Sequence, residues 1–489
     1  MNIYIENHEF HYELENLTRI FLPNDKITVH KNAVEFEKPF IKAIRTIGNK
    51  NSELIVEVYF DDFDKSEKII ITNNIPDYEN ECERQFAVMI FKLLQEYTGV
   101  NPPWGILTGV RPIKLFRNLK NQIGTEETER YFKEKLLVSD KKTALSKETE
   151  KNESKIIELS KKDSFSLYVS VPFCPSRCAY CSFVSQSVEK TKHLMEPYTD
   201  LLCKEIAKTA GIATKVNLKL ESVYIGGGTP TALTPTQLNK IIKAISKDFN
   251  LSDCREFTVE AGRPDTVNDE MLIMLHENGI DRISINPQTL NDTVLENIGR
   301  RHTARQSIEA FELARKHGFT HVNMDLIVGL PGDSFESFQN TLNQICNLEP
   351  ESITIHTLAK KRSAELTASK LEILRKDSQT ADEMMAFAQD KLKNMYIPYY
   401  LYRQSRMVGN LENIGFSKPG FESFYNIFVM DETHTILACG AGGVTKLKEF
   451  GTSRLERIFN FKYPYEYISR FDEIQNRKSG IMDFYKNIM

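Results

Sequence analysis

The chain has 489 residues, of which 41% are hydrophobic and 27% are charged, and its net charge is −4. This length allows two or three domains, and the composition is that of an ordinary globular protein. The balance of 63 basic and 67 acidic residues implies no broad cationic field and argues against a nucleic-acid partner. The sequence shows neither a signal peptide nor an apolar run of membrane-spanning length. Eight cysteines are too sparse for a disulfide scaffold, so we expect a reducing, cytoplasmic location and no membrane span.

Residues 1–140 are predicted to form an N-terminal α/β domain of unknown role. Alternating apolar residues predict strands over Ser52–Phe60 and Glu67–Thr72. Helical spacing of apolar residues predicts a helix over Glu81–Tyr97. The single tryptophan, Trp104, is interpreted as a packing anchor for a domain junction in preference to the wall of a ligand site.

Residues 141–164 are densely charged and predict a solvated linker with some helix. Beyond them, short apolar strands alternate with helix-length segments, and right-handed crossovers between such strands produce a parallel sheet. Six strand–helix units predict a partial (β/α)6 barrel over residues 165–370, with its chemical groups at the carboxyl ends of the strands. The predicted strands are Leu167–Val171, Ser222–Ile225, Phe257–Ala261, Arg282–Asn286, His321–Val328 and Ser352–His356. The predicted helices between them are Leu194–Ala210, Thr236–Phe249, Asp269–Asn278, Ala304–Lys316 and Phe335–Asn347.

A Cys-x3-Cys-x2-Cys cluster, formed by Cys174, Cys178 and Cys181, follows the first barrel strand. Three thiolates this close can wrap one metal centre, and thiolates suit zinc and iron–sulfur clusters. A cubane held entirely by protein needs a fourth cysteine, but the next one is Cys203. The economical interpretation is a [4Fe–4S] cluster with three protein ligands and one open iron. Structural zinc, which normally takes four ligands in paired spacings, and simple buried thiols fit the spacing less well.

The cysteine spacing resembles the signature of the radical S-adenosylmethionine (radical SAM) enzymes, in which the open iron binds S-adenosylmethionine. The segment from Tyr168 to Cys174 (YVSVPFC) is similar to that of the oxygen-independent coproporphyrinogen III oxidase-like proteins. The run Tyr399–Leu447 resembles part of the mostly helical C-terminal domain of these proteins, predicted here over residues 371–489. Together with the long N-terminal domain, it points to the HemZ branch of the family.

Two motifs follow the second and third predicted strands. Consecutive glycines in Gly226–Pro230 let another molecule approach the backbone closely. This run resembles the family's GGxTP segment, which implies that Gly227, Gly228 and Thr229 receive the methionine amino group of S-adenosylmethionine. Glu260 ends an apolar strand, where burying an acid costs free energy unless it is paired or hydrogen-bonded. It is either a structural ion-pair partner or, as the resemblance implies, a ligand of the cofactor's ribose or amino group.

The remaining cofactor residues are also assigned from the resemblance. Gln288, after the fourth strand, is expected to bond the ribose hydroxyls, and Asp325, in the fifth strand, to bind the adenosine end. The Arg300 guanidinium is suited to clamping the methionine carboxylate. Tyr168 is expected near the cofactor, and Tyr180 either stacks beside the adenine or packs within the protein.

The resemblance implies oxidative decarboxylation of coproporphyrinogen III propionates to vinyl groups by a 5′-deoxyadenosyl radical, in haem biosynthesis. The implied partners are a tetrapyrrole substrate and an electron donor such as a flavodoxin or a ferredoxin. The basic run Lys360, Lys361 and Arg362, after the sixth strand, is a candidate site for the substrate propionates.

One position departs from the pattern of the oxidases. They carry a further cysteine two residues after the third cluster ligand, where this chain has Phe183. The haem-trafficking relatives also have phenylalanine there. Two alternatives therefore stay open: a haem-binding trafficking protein, and another tetrapyrrole-directed radical SAM enzyme.

Overall fold

The chain folds into two compact units, one of which is built from two separate stretches of sequence. The first unit contains Met1–Glu148 and Tyr402–Glu412, and the second contains Thr149–Leu401 and Asn413–Met489. The computed structural model describes residues 1–23, 25–33, 35–181, 183, 185–359, 378–404 and 407–486. The candidate propionate-binding residues Lys360, Lys361 and Arg362 lie outside the described residues. Within the described ranges, none of the helices combines the length and apolarity needed to cross a membrane.

The first unit contains a five-stranded sheet with the order β2-β1-β3-β4-β5. Strand β1 pairs in parallel with β2 and β3, and β3, β4 and β5 form an antiparallel meander. The strands are β1 (Asn2–Glu6), β2 (Thr28–Lys31), β3 (Phe40–Ile47), β4 (Asn51–Tyr59) and β5 (Asp64–Thr72). The helices of this unit include α1 (His11–Phe21), α2 (Tyr78–Thr98), α3 (Pro112–Ile123) and α4 (Thr125–Arg130), and a π-helical turn, Tyr131–Lys135, follows α4.

Alternation of side chains explains the core of this unit. In β4 the side chains of Leu54, Val56 and Val58 are buried on one face, whereas the alternating residues Glu53, Ile55 and Glu57 point to the other. Helix α2 contributes Phe86 and Ile90, one turn apart, to the core. The strands and the helix predicted from the sequence in this unit are confirmed to within a few residues.

The charged stretch after the first unit's sheet is ordered structure. Residues 141–164 were expected to be a solvated linker with some helix, and Asp140–Ile157 forms helix α5. Its Asn152 side chain is buried and donates to the Pro398 carbonyl oxygen at 2.9 Å. Charge density alone did not reveal this because polar side chains that find hydrogen-bond partners can be buried.

The second unit is organised around an eleven-stranded sheet. Six parallel strands stand side by side in the order in which they occur in the sequence, as the strand–helix alternation predicts. They are β6 (Ser164–Val171), β9 (Lys219–Gly227), β10 (Glu256–Glu260), β11 (Arg282–Ser284), β12 (Val322–Val328) and β13 (Ser352–Thr357). Two short strands, β7 (Phe173–Cys174) and β8 (Gln186–Ser187), pair separately.

Helices connect the parallel strands, as in the predicted (β/α)6 arrangement. They are α6 (Val188–Lys215), α7 (Pro235–Asp248), α8 (Asp269–Glu277), α9 (Asp292–Asn297), α10 (Ala304–Lys316) and α11 (Phe335–Leu348). Helix α7 begins at a capping box in which the Thr234 hydroxyl accepts from the Gln237 amide while the Gln237 side chain accepts from Thr234. Thr303 and Gln306 form the same motif at the start of α10.

The C-terminal region supplies helices and also extends the sheet on both sides. Strand β16 pairs in parallel with β6, and β15 pairs antiparallel with β13. The strands are β14 (Ile397–Tyr402), β15 (Asn413–Ser417), β16 (Thr435–Cys439), β17 (Val444–Lys448) and β18 (Leu455–Phe459). The helices are α12 (Ser378–Leu392), α13 (Phe424–Asp431), α14 (Pro464–Ser469), α15 (Phe471–Arg477) and α16 (Ser479–Lys486).

A buried network joins this C-terminal region to helix α6. Glu205 of α6 is fully buried and pairs with Lys478, with 2.9 Å between Oε1 and Nζ. The second carboxylate oxygen accepts from the Gly440 amide at 2.8 Å and from the Tyr467 hydroxyl at 2.5 Å. The CGAGG motif, which begins at Cys439, is therefore a structural junction between the barrel and the C-terminal region.

Candidate functional site

The loop that carries the three cysteines is fixed at both of its ends. Strand β7 contains Cys174 and pairs with β8, so Phe173 stands opposite Gln186 and Cys174 opposite Ser187. Between these ends, the Ala179 amide donates to the Ile298 carbonyl oxygen at 3.0 Å. The pairing holds the thiols next to the carboxyl end of β6, where the sequence predicted them.

The three thiols share a largely buried environment. The pKa of the Cys181 thiol is raised to about 11, mainly by burial, with a smaller contribution from the neighbouring Cys178 and Cys174 and a backbone hydrogen bond acting in the opposite direction. Burial also raises the pKa of Cys174. Thiolates in such surroundings need compensating positive charge, which a metal centre supplies.

The glycine run forms a cradle beside the cysteine loop. A Cβ atom at Gly228 would stand 2.6 Å from the Phe173 carbonyl oxygen and 2.9 Å from the Cys174 sulfur. A Cβ atom at Gly226 would stand 3.0 Å from a carboxylate oxygen of Glu260. The Thr229 hydroxyl donates to the Cys174 sulfur at 3.5 Å. Only glycine therefore leaves the backbone room to lie against both the thiol and the carboxylate.

Glu260 ends strand β10 beside the glycine run. The Tyr224 hydroxyl, from the neighbouring strand β9, donates to Glu260 Oε1. Burial raises the pKa of Glu260 to about 7, and the charge of Asp325 adds to the rise. Within the described ranges Glu260 forms no ion pair with a lysine or arginine, so the sequence alternative of a structural salt bridge finds no support.

Asp325, in strand β12, is the second carboxylate of the site and has different hydrogen-bonding and charged partners from those of Glu260. Its carboxylate accepts from Asn323 Nδ2 at 2.7 Å, and His356 Nε2 lies 3.6 Å from its other oxygen. Burial alone would raise the pKa of Asp325, but His356 and the hydrogen bonds from neighbouring side chains lower it below its ordinary value. Asp325 is therefore maintained as a charged acceptor.

Gln288 is positioned next to Asp325 by the backbone. Its amide donates to the Asp325 carbonyl oxygen at 2.9 Å, and its own carbonyl accepts from the Ile327 amide at 3.0 Å. Gln288 adopts a φ of +69°, a left-handed conformation that costs free energy in a residue with a side chain. Such strain is concentrated at functional sites, where the surrounding structure enforces it.

Arg300 is buried and faces the cysteine loop. Its Nη1 donates to the Asn286 carbonyl oxygen at 2.5 Å, and its Nε and Nη2 donate to the Tyr180 hydroxyl at 3.3 and 3.1 Å. Tyr180, which the sequence assigned either to adenine stacking or to packing, thus holds the guanidinium through its hydroxyl. The two side chains are brought together beside Cys178 and Cys181.

Tyr168 belongs to a stack of three tyrosine rings. Its ring lies 6.3 Å from that of Tyr224 and 6.1 Å from that of Tyr425, with interplanar angles of 24° and 16°. Tyr224 and Tyr425 stand 4.4 Å apart. Tyr224, whose hydroxyl donates to Glu260, is therefore part of a stacked aromatic cluster in the second unit.

Four residues of this site were not assigned from the sequence. His356 ends the predicted sixth strand, and Tyr224 points to the same face as Gly226, so strand alternation contained a usable signal for both. Arg263 donates from Nη1 to Ser176 Oγ at 3.1 Å and to the Cys178 sulfur at 3.7 Å. Neither Arg263 nor Tyr425 carries a local pattern that marks it.

The chemistry of the residues present fits an iron–sulfur cluster. The donor set is three thiols beside a glycine cradle, and thiolate is the ligand such clusters use. In the described part of the chain no three His, Cys, Asp or Glu side chains converge as ligands of one metal ion would. The ligands of a cubane bind separate irons and stand further apart. Assignment of Cys174, Cys178 and Cys181 as ligands stays a prediction.

Comparisons with known proteins show which family the chain resembles. The profile of the radical SAM superfamily matches residues 168–345. The oxygen-independent coproporphyrinogen-III oxidase-like protein HemZ of Bacillus subtilis (strain 168) is 37% identical over 403 residues, covering 81% of this chain and 80% of that protein. The heme chaperone HemW of Lactococcus lactis subsp. lactis (strain IL1403) is 32% identical over 282 residues, covering 57% of this chain and 69% of that protein.

Among solved structures, coproporphyrinogen III oxidase (HemN) from Escherichia coli, a radical SAM enzyme, matches with a TM-score of 0.52 at 22% identity. The match covers 66% of this chain and 72% of that one and supports the fold. The predicted fold class, a radical SAM barrel with an α/β region before it and a helical region after it, is confirmed. The chain belongs to the oxygen-independent coproporphyrinogen-III oxidase-like family of the radical SAM superfamily.

Proposed function

We propose that this protein is a radical SAM oxidoreductase that converts propionate side chains of coproporphyrinogen III into vinyl groups without oxygen, in haem biosynthesis. The observation that carries the proposal is the convergence of three thiols, a glycine cradle and two carboxylates at neighbouring strand ends, in a chain of this family. The reducing cytoplasm, as expected from the cysteine usage, would keep these thiols available.

The roles of the chain's residues follow from their chemistry. Cys174, Cys178 and Cys181 would hold a [4Fe–4S] cluster, and Gly227, Gly228 and Thr229 would line the methionine end of S-adenosylmethionine. When bound, this pair supplies the radical chemistry that removes a hydrogen atom from the substrate. The remaining assigned residues would bind and orient the cofactor: Tyr168, Tyr180, Glu260, Gln288, Arg300 and Asp325.

Charge supports this division of roles. The Arg300 guanidinium can clamp a carboxylate, and Asp325, kept ionised beside His356, can accept from ribose hydroxyls. Glu260 accepts from Tyr224 on one side and retains capacity to accept from an ammonium or hydroxyl group. A one-electron donor such as a flavodoxin or a ferredoxin, and a tetrapyrrole substrate, complete the proposed reaction.

Haem trafficking is the second candidate function. Phe183, two residues after Cys181, replaces the further cysteine of the oxidases, and its side chain is 63% exposed. The similarity to the heme chaperone of Lactococcus lactis spans more than half of this chain. A protein of this kind would bind haem without consuming S-adenosylmethionine in a coproporphyrinogen-dependent manner.

One anaerobic experiment separates the two functions. The cluster is reconstituted, a reductant and S-adenosylmethionine are supplied, and 5′-deoxyadenosine is quantified with and without coproporphyrinogen III. We expect substrate-dependent 5′-deoxyadenosine together with a vinyl product. Tight haem binding with no such dependence would contradict the oxidase and favour trafficking.

A matched pair of cysteine variants controls the assay. Cys178→Ser should lose bound iron and product, because it removes one proposed ligand. Cys203→Ser should retain both, since Cys203 lies in helix α6, outside the cysteine loop, and its thiol donates to the Lys240 carbonyl oxygen at 3.7 Å. Equal iron content in the two variants would contradict the assigned ligand set.

A further inference from the structure

Arg263 is a buried cation of the candidate site to which the proposed function gives no role. It lies on the loop between β10 and the short 3-10 helix Pro264–Thr266, and its residue is only 3% exposed. Burying a guanidinium is costly unless it is paired and hydrogen-bonded. The cost is offset here by Asp265, whose two oxygens accept from Nε at 3.0 Å and from Nη2 at 3.3 Å.

The remaining nitrogen of the guanidinium points away from this ion pair and toward the cysteine loop. Arg263 Nη1 donates to the Ser176 carbonyl oxygen at 3.3 Å, to Ser176 Oγ at 3.1 Å and to the Cys178 sulfur at 3.7 Å. The contact with Cys178 is direct.

We infer that Arg263 sets the reduction potential of the cluster that the three cysteines are proposed to hold. Reduction adds one electron and makes the cluster more negative by one charge. A fixed positive charge in a buried, low-dielectric environment favours that reduced form, and hydrogen bonds to cluster sulfurs are a recognised determinant of potential. Arginine suits the role because its charge is not lost on burial.

Asp265 opposes this effect on the potential, so its substitution provides a second, independent test. Its carboxylate is a negative charge next to the guanidinium and, at 22% side-chain exposure, is partly solvated. Removing that charge should leave the surroundings of Cys178 more positive. The inference therefore predicts shifts of opposite sign for the two partners of a single ion pair, which a merely structural role would not produce.

The test is an anaerobic redox titration of the reconstituted full chain, with the reduced cluster quantified by electron paramagnetic resonance. Arg263→Gln should have a more negative midpoint potential than the wild type, and Asp265→Asn a more positive one. Arg263→Lys retains the positive charge but loses the planar guanidinium group with its fixed donors. Its midpoint potential should lie between those of Arg263→Gln and the wild type. Arg305 is an exposed residue of α10 with a surface ion pair to Glu309. The control variant Arg305→Gln should therefore have the midpoint potential of the wild type.

Unchanged potentials in both Arg263→Gln and Asp265→Asn, or shifts of the same sign, would overturn the inference. If Arg263→Gln fails to assemble a cluster, the midpoint potentials of Asp265→Asn and Arg263→Lys test the inference by themselves. The inference rests on the proposed cluster site but fails separately from it. A wild-type protein that binds no cluster refutes the site, whereas a cluster-bearing protein without coproporphyrinogen turnover refutes only the proposed reaction.

Discussion

Two carboxylates at the carboxyl ends of the barrel strands have opposite electrostatic surroundings. Burial and the nearby Asp325 charge raise the pKa of Glu260 to about 7, whereas His356 and neighbouring donors lower the pKa of Asp325. Pairs of acids whose pKa values are pushed apart have different roles in one site. Glu260 is the group whose charge changes near neutral pH.

This difference predicts a pH dependence of cofactor binding. Below pH 7 Glu260 is mostly protonated and neutral, and above pH 7 it is mostly ionised and accepts more strongly from an ammonium or hydroxyl group. The affinity for S-adenosylmethionine should therefore rise about tenfold between pH 6 and pH 8, following the ionised fraction. Equilibrium titration at both values measures it. Glu260→Gln should bind more weakly and without this dependence, and a persisting rise in that variant would assign the titration elsewhere.

A second prediction at this scale concerns the glycine cradle. Gly228→Ala should reduce the iron content after reconstitution, because the new Cβ would collide with the Phe173 carbonyl and the Cys174 sulfur. Gly211→Ala in helix α6 is the matched control, since a Cβ there meets nothing within 4 Å. The control should retain iron and gain roughly 0.5–1 kcal/mol in unfolding free energy. Full iron loading in Gly228→Ala would show that the loop can move aside.

Local chemistry made some of these residues predictable. The cysteines are recognised by spacing, and Glu260 and Asp325 stand out because each is an acid in an apolar strand. Tyr224, His356 and Arg263 were missed because their importance depends on a partner from another strand or loop. A tyrosine near a strand end has many ordinary uses, and only the contact with Glu260 distinguishes this one.

At the scale of elements, one buried ion pair connects helix α6 to the C-terminal region. Glu205 and Lys478 are both fully buried and 273 positions apart in the chain, as their numbers show. Tyr467 and the Gly440 amide complete the bonding of the carboxylate. Gly440 lies in the run Tyr399–Leu447, which the resemblance picks out in the sequence, and its contact with Glu205 comes only from the structure.

Breaking this pair should destabilise the second unit strongly. Lys478→Met leaves a buried carboxylate without its cation and should cost about 3–5 kcal/mol in unfolding free energy, measured by denaturant titration. The double variant Glu205→Gln/Lys478→Met should lose less than the sum of the two single variants, because each removes the other's unpaired charge. Strictly additive losses would mean that the two groups are not coupled.

At the scale of the whole molecule, the chain forms two compact units, and the first recruits the distant segment Tyr402–Glu412. Within that unit the Trp104 indole donates to Glu412 Oε2 at 2.7 Å, and Lys142 pairs with Oε1 of the same carboxylate at 2.5 Å. Trp104 is fully buried. The burial and the hydrogen bond of Trp104 agree with the expected packing role, and its place at a domain junction stays a prediction.

The single tryptophan allows the two units to be followed separately. Glu412→Gln removes the charge that pairs with Lys142 and should lower the stability of the first unit by about 3 kcal/mol. Trp104 fluorescence should report this loss, while the absorbance of a bound cluster follows the second unit. Glu129 forms a partly exposed ion pair with Lys147. The control variant Glu129→Gln should therefore change the free energy of unfolding by less than about 1 kcal/mol. Coincident shifts in both signals would indicate one cooperative transition.

The sequence by itself determined the order of strands and helices in the barrel and the position of the cysteine cluster. Both are local patterns: apolar periodicity specifies an element, and ligand spacing specifies a loop. Only the tertiary structure decided which side chains meet across elements, as in Tyr224 with Glu260, His356 with Asp325 and Arg263 with Cys178. Strand order, register and loop path create these contacts, and no short stretch of sequence contains both partners.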